Sequence, residues 1–353
     1  MMYNGRFQSL HFEVTHKCNL RCKHCYNIEY LESKHTDLSL LEIKKIIDIA
    51  IAAGCVDMGF SGGEPFMRSD MVDIIEYVKD YPIHILTNGL LLDENLITQL
   101  KSIGDLLIEF RVSLDGLESH QNLRNVTFDK VIEHIKLLLD NDYVVTVNTM
   151  ITDDNIDELE SMYEIFESIG VDRWRLDFIF NSGNANKNNI GYSNLPKMFG
   201  TLKRLVCRYI KEQPLFEFDI NKIFRSVLLS NASAMEYALE TKPCGYQGGL
   251  TVRPNGDVSF CPSLNVTHGN ILHDGLDSIC SHDQWHEISA IRVKNIDNKC
   301  STCKYLSYCG GGCRADALYE TKSLYGISNL TCDLMEFYVR EILPLINEYR
   351  AKS

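Results

Sequence analysis

Thr15-His16-Lys17-Cys18-Asn19-Leu20-Arg21-Cys22-Lys23-His24-Cys25-Tyr26-Asn27 decides how the rest of the chain is read. The stretch follows a run, 10–15, with the composition of a strand, and its three cysteines are spaced C-x3-C-x2-C. That spacing lets three thiolates wrap around three irons of a cubic iron-sulfur cluster, thiolate being the usual ligand of such clusters. The remaining iron then has no protein ligand and stays open to a substrate or cofactor. Two other readings of the same residues are a structural zinc site completed by His16 or His24, and cysteines packed as small apolar groups.

Composition narrows the class. The 353 residues, 45% of them apolar, suffice for one large domain and a smaller one with a full core. A formal charge of -13 excludes a nucleic acid as the partner, because a phosphate backbone needs a clustered positive surface. No run is apolar for long enough to cross a bilayer and residues 1–9 lack the apolar stretch of a signal peptide, so a cytoplasmic location is expected. Thirteen cysteines in a long chain of this kind are expected to stay reduced and to bind metal where they cluster. Besides Cys18, Cys22 and Cys25, a set of seven comprises Cys244, Cys261, Cys300, Cys303, Cys309, Cys313 and Cys332; Cys55, Cys207 and Cys280 stand apart.

Strand-like runs at 10–15, 56–60, 83–87, 107–113, 143–150 and 173–180 alternate with helical spacing over 40–53, 71–79, 94–103, 128–141 and 156–168, and a further helix is expected at 195–211. Six strand-helix units in series imply a parallel sheet with right-handed crossovers. In such folds chemistry sits in the loops after the carboxyl ends of the strands. Polar motifs fall there. Ser61-Gly62-Gly63-Glu64-Pro65 offers two glycines for close backbone approach and a carboxylate that can receive an ammonium group. Thr87-Asn88-Gly89 is either a plain turn or a ligand contact; Ser113-Leu114-Asp115-Gly116 ends the fourth strand. Asn148 on the fifth strand is either a ligand contact or a satisfied core asparagine, and the Asn-rich loop 181–189 reads as a mobile, substrate-selecting segment.

A C-x3-C-x2-C loop followed one strand later by Gly-Gly-Glu-Pro resembles the radical S-adenosylmethionine (radical SAM) superfamily. The resemblance implies an α/β fold, a partial (β/α)6 barrel, over residues 1–213. It implies that Cys18, Cys22 and Cys25 hold a 4Fe-4S cluster whose open iron is chelated by SAM, with His24 beside the adenine. Gly62, Gly63 and Glu64 would hold the SAM amine, Ser113, Asp115 and Arg124 would lie near its ribose or carboxylate, and Asn148 would be a further contact. For Asp115 and Arg124 a structural salt bridge is the competing reading.

Residues 214–243 read as a helical bridge, with a helix-like run at 220–229. Beyond it, Cys244, Gly256, Cys261, Cys300-x2-Cys303-x5-Cys309-x3-Cys313 and Cys332 resemble the seven-cysteine pattern of the SPASM domain, here 244–353. Alternating runs on either side of Pro254-Asn255-Gly256-Asp257 signal a β-hairpin, and Gly310, Gly311 and Gly312 would let backbone amides approach cluster sulfides. By resemblance, Cys300, Cys303, Cys309 and Cys332 hold an outer auxiliary iron-sulfur cluster, and Cys244, Cys261 and Cys313 an inner one. The inner cluster either keeps an open iron or recruits Cys207 or Cys280; Cys207 otherwise reads as a buried apolar residue. An amphipathic helix at 334–349 would cap the domain.

The resemblance implies reductive cleavage of SAM to a 5'-deoxyadenosyl radical and oxidation of a substrate, with electrons from a flavodoxin- or ferredoxin-type donor. SPASM proteins mostly modify ribosomally made peptides, so a crosslinking or side-chain-oxidising peptide maturase is the first expectation. About ten residues precede the first strand, so the peptide would be presented by a separate leader-binding protein or met by the barrel mouth directly. A dehydrogenase or epimerase of a sugar or amino acid is the alternative. Sulfatase maturation is disfavoured because Pro262, not an aspartate, follows Cys261. A cluster-bearing sensor would have no need of Glu64 and its glycines.

Overall fold

The computed structural model describes residues 7–33, 35–226, 229, 239–243 and 248–352. Six strands, β1 (Ser9–Thr15), β2 (Asp57–Gly62), β3 (Ile83–Thr87), β4 (Ile108–Ser113), β5 (Val144–Ile151) and β6 (Arg173–Phe178), are each followed by a helix: Leu40–Ala52, Met71–Tyr77, Glu94–Ile103, Phe128–Leu139, Leu159–Ile169 and Leu195–Glu212. Local chemistry sets these boundaries. Ser39 and Glu42 form a reciprocal capping box at the first helix, and Ile43, Ile46, Ile47 and Ala50 supply its buried stripe. Asp93 and Asn194 cap two others by accepting the Leu96 and Lys197 N–H groups. Gly170 (φ 74°) closes the fifth helix in the left-handed region.

The chain folds as two compact units, one of Met1–Ser113, Arg124–Val145 and Tyr246–Ser289, the other of Leu114–Leu123, Thr146–Gly245 and Ala290–Ser353. In the first unit, β9 (Gly249–Val252), β1, β2, β3 and β4 run parallel in that order, and β10 (Val258–Ser259) pairs antiparallel with β9. The hairpin expected around Gly256 is present, with Gly256 at φ 87°. Its parallel pairing with β1, Leu10 opposite Leu250 and Phe12 opposite Val252, joins the first strand to the cysteine-rich segment.

In the second unit β5, β6 and β7 (Glu217–Ile220) are parallel and β8 (Phe224–Arg225) pairs antiparallel with β7. The bridge therefore carries strands where a helix-like run was expected. Phe218 and Ile220 are buried while Glu217 and Asp219 are not, a period of two that the sequence spacing obscured. The C-terminal helix is interrupted: Asn329–Phe337 and Leu343–Lys352 flank a widened turn over Tyr338–Ile342. Pro344 cannot donate the helical bond to the Arg340 carbonyl, which explains the widening. This segment packs on the helix Leu195–Glu212, with Phe199 and Phe337 stacked at 4.6 Å and Lys203 paired with Glu341 at 2.7 Å. On that helix Cys207 is exposed, not buried as expected, because the buried stripe runs through Met198, Leu202, Leu205, Val206 and Tyr209. The Asn-rich loop contains a short helix, Gly183–Lys187, pinned by buried Ala185.

The first unit is tied internally by a fully buried ion pair. Arg253, in the hairpin turn, meets Glu13 of β1 at 2.5 Å, donates to the Pro262 and Leu264 carbonyls, and lies 5.0 Å above the Tyr30 ring. Asn27 satisfies the other Glu13 oxygen at 3.1 Å. Removing one member leaves the other charge buried without its counter-ion. Arg253→Met is accordingly expected to cost about 3–5 kcal/mol in urea unfolding, with part of it recovered in the double variant Glu13→Gln/Arg253→Met.

Candidate functional site

The cysteine loop is held by backbone contacts to the turn after β2. A bulge in β1 between Glu13 and Thr15 redirects the strand just before the loop. Gly63 N–H donates to Thr15 O and Glu64 N–H to Lys17 O, both at 2.8 Å. The approach leaves no room for side chains: a Cβ on Gly63 would lie 2.1 Å from Lys17 O, and one on Gly62 (φ 133°) 2.3 Å from Thr15 O. His16 is turned away by Asp37, whose carboxylate takes its Nδ1 at 2.5 Å and its backbone N–H at 2.9 Å.

Within the loop Cys18, Cys22 and Cys25 stand close enough for each thiol's charge to be felt by its neighbours. Burial pushes the Cys25 thiol up to about 12 and raises Cys18 as well. The Leu20 N–H points at Cys18 Sγ (3.4 Å), and Arg124 Nη1 approaches Cys22 Sγ (3.8 Å). These are donors of the kind that stabilise thiolate bound to iron. Among the described residues no three Cys, His, Asp or Glu side chains converge tightly enough for a single metal ion; a cluster, with several irons between its thiolates, needs a wider ring.

Glu64 is completely buried. Its carboxylate accepts from Thr87 Oγ1 (2.8 Å) and the Asn88 N–H (2.7 Å), and Asn88 Nδ2 reaches back to Asn19 Oδ1 (2.8 Å) in the cysteine loop. The motif at Thr87-Asn88-Gly89 is thus tied to Glu64, a connection its sequence does not announce. His24 is buried and Ser113 is half-buried at the end of β4. A cavity of about 600 Å³ lies at the opposite, amino-terminal ends of β3 and β4, lined by Ile83, His84, Leu107 and Ile108, and is not part of this loop.

In the second unit Asp115 is buried, its carboxylate accepting the Met150 N–H at 2.9 Å while its own N–H donates to His120 Nδ1 at 3.0 Å. Asn148 differs. Its buried Oδ1 has no hydrogen-bond partner among the described residues, so it calls for a donor that the protein does not supply. Cys300, Cys303, Cys309 and Cys332 each lie within the electrostatic reach of others in that set, and burial pushes Cys309 up to about 11. Gly310, Gly311 and Gly312 all have positive φ, and Cβ atoms on the last two would strike Ile296 and Thr331 at 2.1 and 2.5 Å. Cys261 belongs to the first unit and Cys313 to the second; Cys244 lies outside the described residues. Cys280 is buried in the helix Leu276–Ser281. The thiols, the close glycine approach and the unpaired Asn148 oxygen fit iron-sulfur clusters and a hydrogen-bonding ligand.

Residues 12–166 match the radical SAM superfamily and residues 244–304 the iron-sulfur cluster-binding SPASM domain. An AdoMet-dependent heme synthase of Methanosarcina barkeri (strain Fusaro / DSM 804) is 26% identical over 88% of this chain and 92% of its own. The antilisterial bacteriocin subtilosin biosynthesis protein AlbA of Bacillus subtilis (strain 168) is 25% identical over 85% of this chain and 66% of its own. Among solved structures, native anSMEcpe with bound AdoMet and the Kp18Cys peptide shares the fold at TM-score 0.77 and 18% identity, over 98% of this chain and 99% of that one. The chain is an enzyme of the radical SAM superfamily. Within it, it carries a C-terminal SPASM domain, and its cofactors are iron-sulfur clusters and SAM. Among the described residues no helix is long and apolar enough to cross a membrane.

Two outcomes follow from this geometry. Gly63→Ala is expected to displace the cysteine loop and lower the iron and sulfide retained after anaerobic reconstitution by one cluster's worth. Burial raises the Glu64 carboxyl to about 7 from its ordinary 4.5. Between those values the folded chain keeps a proton that the unfolded chain releases, so this group's contribution to stability falls as pH rises through the window, by at most about 3 kcal/mol. Urea midpoints followed from pH 4.5 to 7.5 are expected to fall less steeply in Glu64→Gln than in the natural chain.

Proposed function

We propose that this enzyme is an oxidoreductase that modifies a ribosomally made peptide, by crosslinking or side-chain oxidation. The observation that carries the reading is the convergence of Cys300, Cys303, Cys309 and Cys332 in the second unit, a second set of thiols beyond those that SAM cleavage needs. Bound cofactors would supply hydrogen-atom abstraction at the first cluster and a route for the released electron at the auxiliary ones, while the protein contributes position and exclusion of water. Cys18, Cys22 and Cys25 would hold the first cluster, with Arg124 beside Cys22 offsetting its charge. Gly62 and Gly63 would present backbone to the SAM amine, Glu64 fixing that turn through Thr87 and Asn88. Asn148 would accept from cofactor or substrate through its unpaired oxygen, and His24, Ser113 and Asp115 would complete the surroundings. Cys244, Cys261 and Cys313 would hold the inner auxiliary cluster. The peptide would come free or on a separate leader-binding protein, and electrons from a flavodoxin- or ferredoxin-type donor.

The peptide substrate is supported by the resemblance to AlbA and by the peptide-bound anSMEcpe structure of the same fold. A second reading, a haem precursor as substrate, is favoured by the similarity to the AdoMet-dependent heme synthase of Methanosarcina barkeri. One anaerobic experiment separates them. Reconstituted protein, SAM and reductant are incubated either with a short peptide encoded beside the gene or with a haem precursor, and nucleoside and substrate are weighed by mass spectrometry. Loss of two hydrogens from the peptide with matching 5'-deoxyadenosine establishes the first reading; conversion of the precursor alone replaces it with the second. Alanine at Cys18, Cys22 or Cys25 is expected to abolish 5'-deoxyadenosine in either case. Cys303→Ala is expected to spare that nucleoside and stop product formation.

A further inference from the structure

One buried group of charges in the second unit has no part in the site described above. After β7 the chain turns through Asn221 and Lys222. Lys222 sits at φ 74°, a left-handed conformation that costs a residue with a Cβ about 1 kcal/mol. Asn221 Nδ2 donates to Asp177 Oδ1 at 2.5 Å, and Arg175 pairs with the same carboxylate at 2.9 Å, so Asp177 has its own cation. The Lys222 ammonium goes to Asp316 instead, with the Phe180 ring 5.6 Å away. The two side chains are only 17% and 9% exposed.

Two features make a purely structural role a poor account. A buried ion pair gains little over apolar packing, and the strained backbone adds to its cost. Asp316 is the third residue of the helix Arg314–Thr321, whose N-cap is Cys313. The carboxylate that fixes the ammonium is thus one helical turn from a thiol proposed to bind iron. An ammonium has three N–H donors, and one carboxylate does not use them all. Burial, which would loosen the Lys222 proton, is outweighed by Asp316, Cys313 and Asp177, so the ammonium holds its proton more firmly than usual.

We infer that Lys222 is a positioning residue for the auxiliary cluster ligated through Cys313: its ammonium, anchored by Asp316, stands beside that ligand and makes the cluster easier to reduce. Uptake of one electron adds one negative charge to the cluster, and a fixed neighbouring cation stabilises the reduced form relative to the oxidised one. Under the oxidative reading the electron comes from the substrate radical; in the test it comes from dithionite. The inference rests on Cys313 being a cluster ligand, not on the identity of the substrate.

The test is an EPR-monitored redox titration of the full chain carrying Cys18→Ala, Cys22→Ala and Cys25→Ala, so that only auxiliary clusters are read. Lys222→Met is expected to move one auxiliary midpoint to more negative potential, Lys222→Arg to leave it in place, and Asp316→Asn, which removes the counter-charge, to move it the other way. Unchanged midpoints in Lys222→Met at full iron content overturn the inference, since a merely structural pair would leave the potential alone. Where Lys222→Met loses iron, Asp316→Asn decides: a positive shift supports the inference and no shift overturns it. Cys313→Ala tests the premise separately. Loss of one cluster's iron there, with no shift in Lys222→Met, removes the role of Lys222 and keeps the ligand; full iron in Cys313→Ala removes both.

Discussion

Everything at the cysteine loop depends on how closely the backbone after β2 approaches the backbone after β1. Two N–H groups, of Gly63 and Glu64, reach the Thr15 and Lys17 carbonyls, and only residues without a Cβ fit that distance at positions 62 and 63. Glu64 then passes the constraint on. Its carboxylate takes Thr87 and the Asn88 amide at the end of β3, and Asn88 returns a hydrogen bond to Asn19 between the first two cysteines. The result is a closed circuit through three strand ends. It fixes a loop that has no regular structure of its own, so that three thiols converge without a helix or sheet to carry them.

Several strands in each unit differ from those of the usual parallel sheet, which is apolar on both faces. In β1, Leu10, Phe12 and Val14 alternate with His11, Glu13 and Thr15; in β4, Ile108, Phe110 and Val112 alternate with Glu109, Arg111 and Ser113; in β6, Trp174, Leu176 and Phe178 alternate with Arg173, Arg175 and Asp177. One side of these strands is apolar and buried, and the other carries polar and charged groups, some paired with one another, as in His84 between Asp57 and Glu109. A polar side of a strand must be satisfied by means other than apolar packing. Ionic and hydrogen-bonded groups do so while leaving polar contacts for whatever occupies that face.

The order of strands and helices was legible in the sequence because the helical stripes are long and well capped, and the family was legible because its cysteine spacings are distinctive. The hairpin at Gly256 was legible from its turn residues. Other features had no local signature. Strands β7 and β8 are four and two residues long, too short for alternation to stand out from a helical pattern. The pairing of Arg253 with Glu13 spans 240 residues, and nothing near either one names its partner. Cys207 reads as apolar by type, yet its side is decided by the phase of the whole helix. The oxygens of Glu64 are engaged by Thr87 and Asn88, a relation between two strand ends that only tertiary structure supplies.

The two groups of thiols share one electrostatic device. Burial raises Cys25 to about 12 and Cys309 to about 11, so near neutral pH these sulfurs hold their protons. A cluster held at either site, as proposed, would release protons and leave several thiolates in a poorly solvated place. Cations are set where that charge would appear: Arg124 beside Cys22, with its charge also favouring the Cys25 thiolate, and Arg314 favouring the Cys300 thiolate. Arg314 is itself held by the Gly311, Leu324 and Gly326 carbonyls, so its guanidinium is in place before any metal arrives. A cation fixed by neutral carbonyls keeps its full charge for the cluster, whereas one fixed by a carboxylate gives up part of it. Charge placement of the first kind favours assembly of a cluster, and of the second kind allows its potential to be set by the counter-ion.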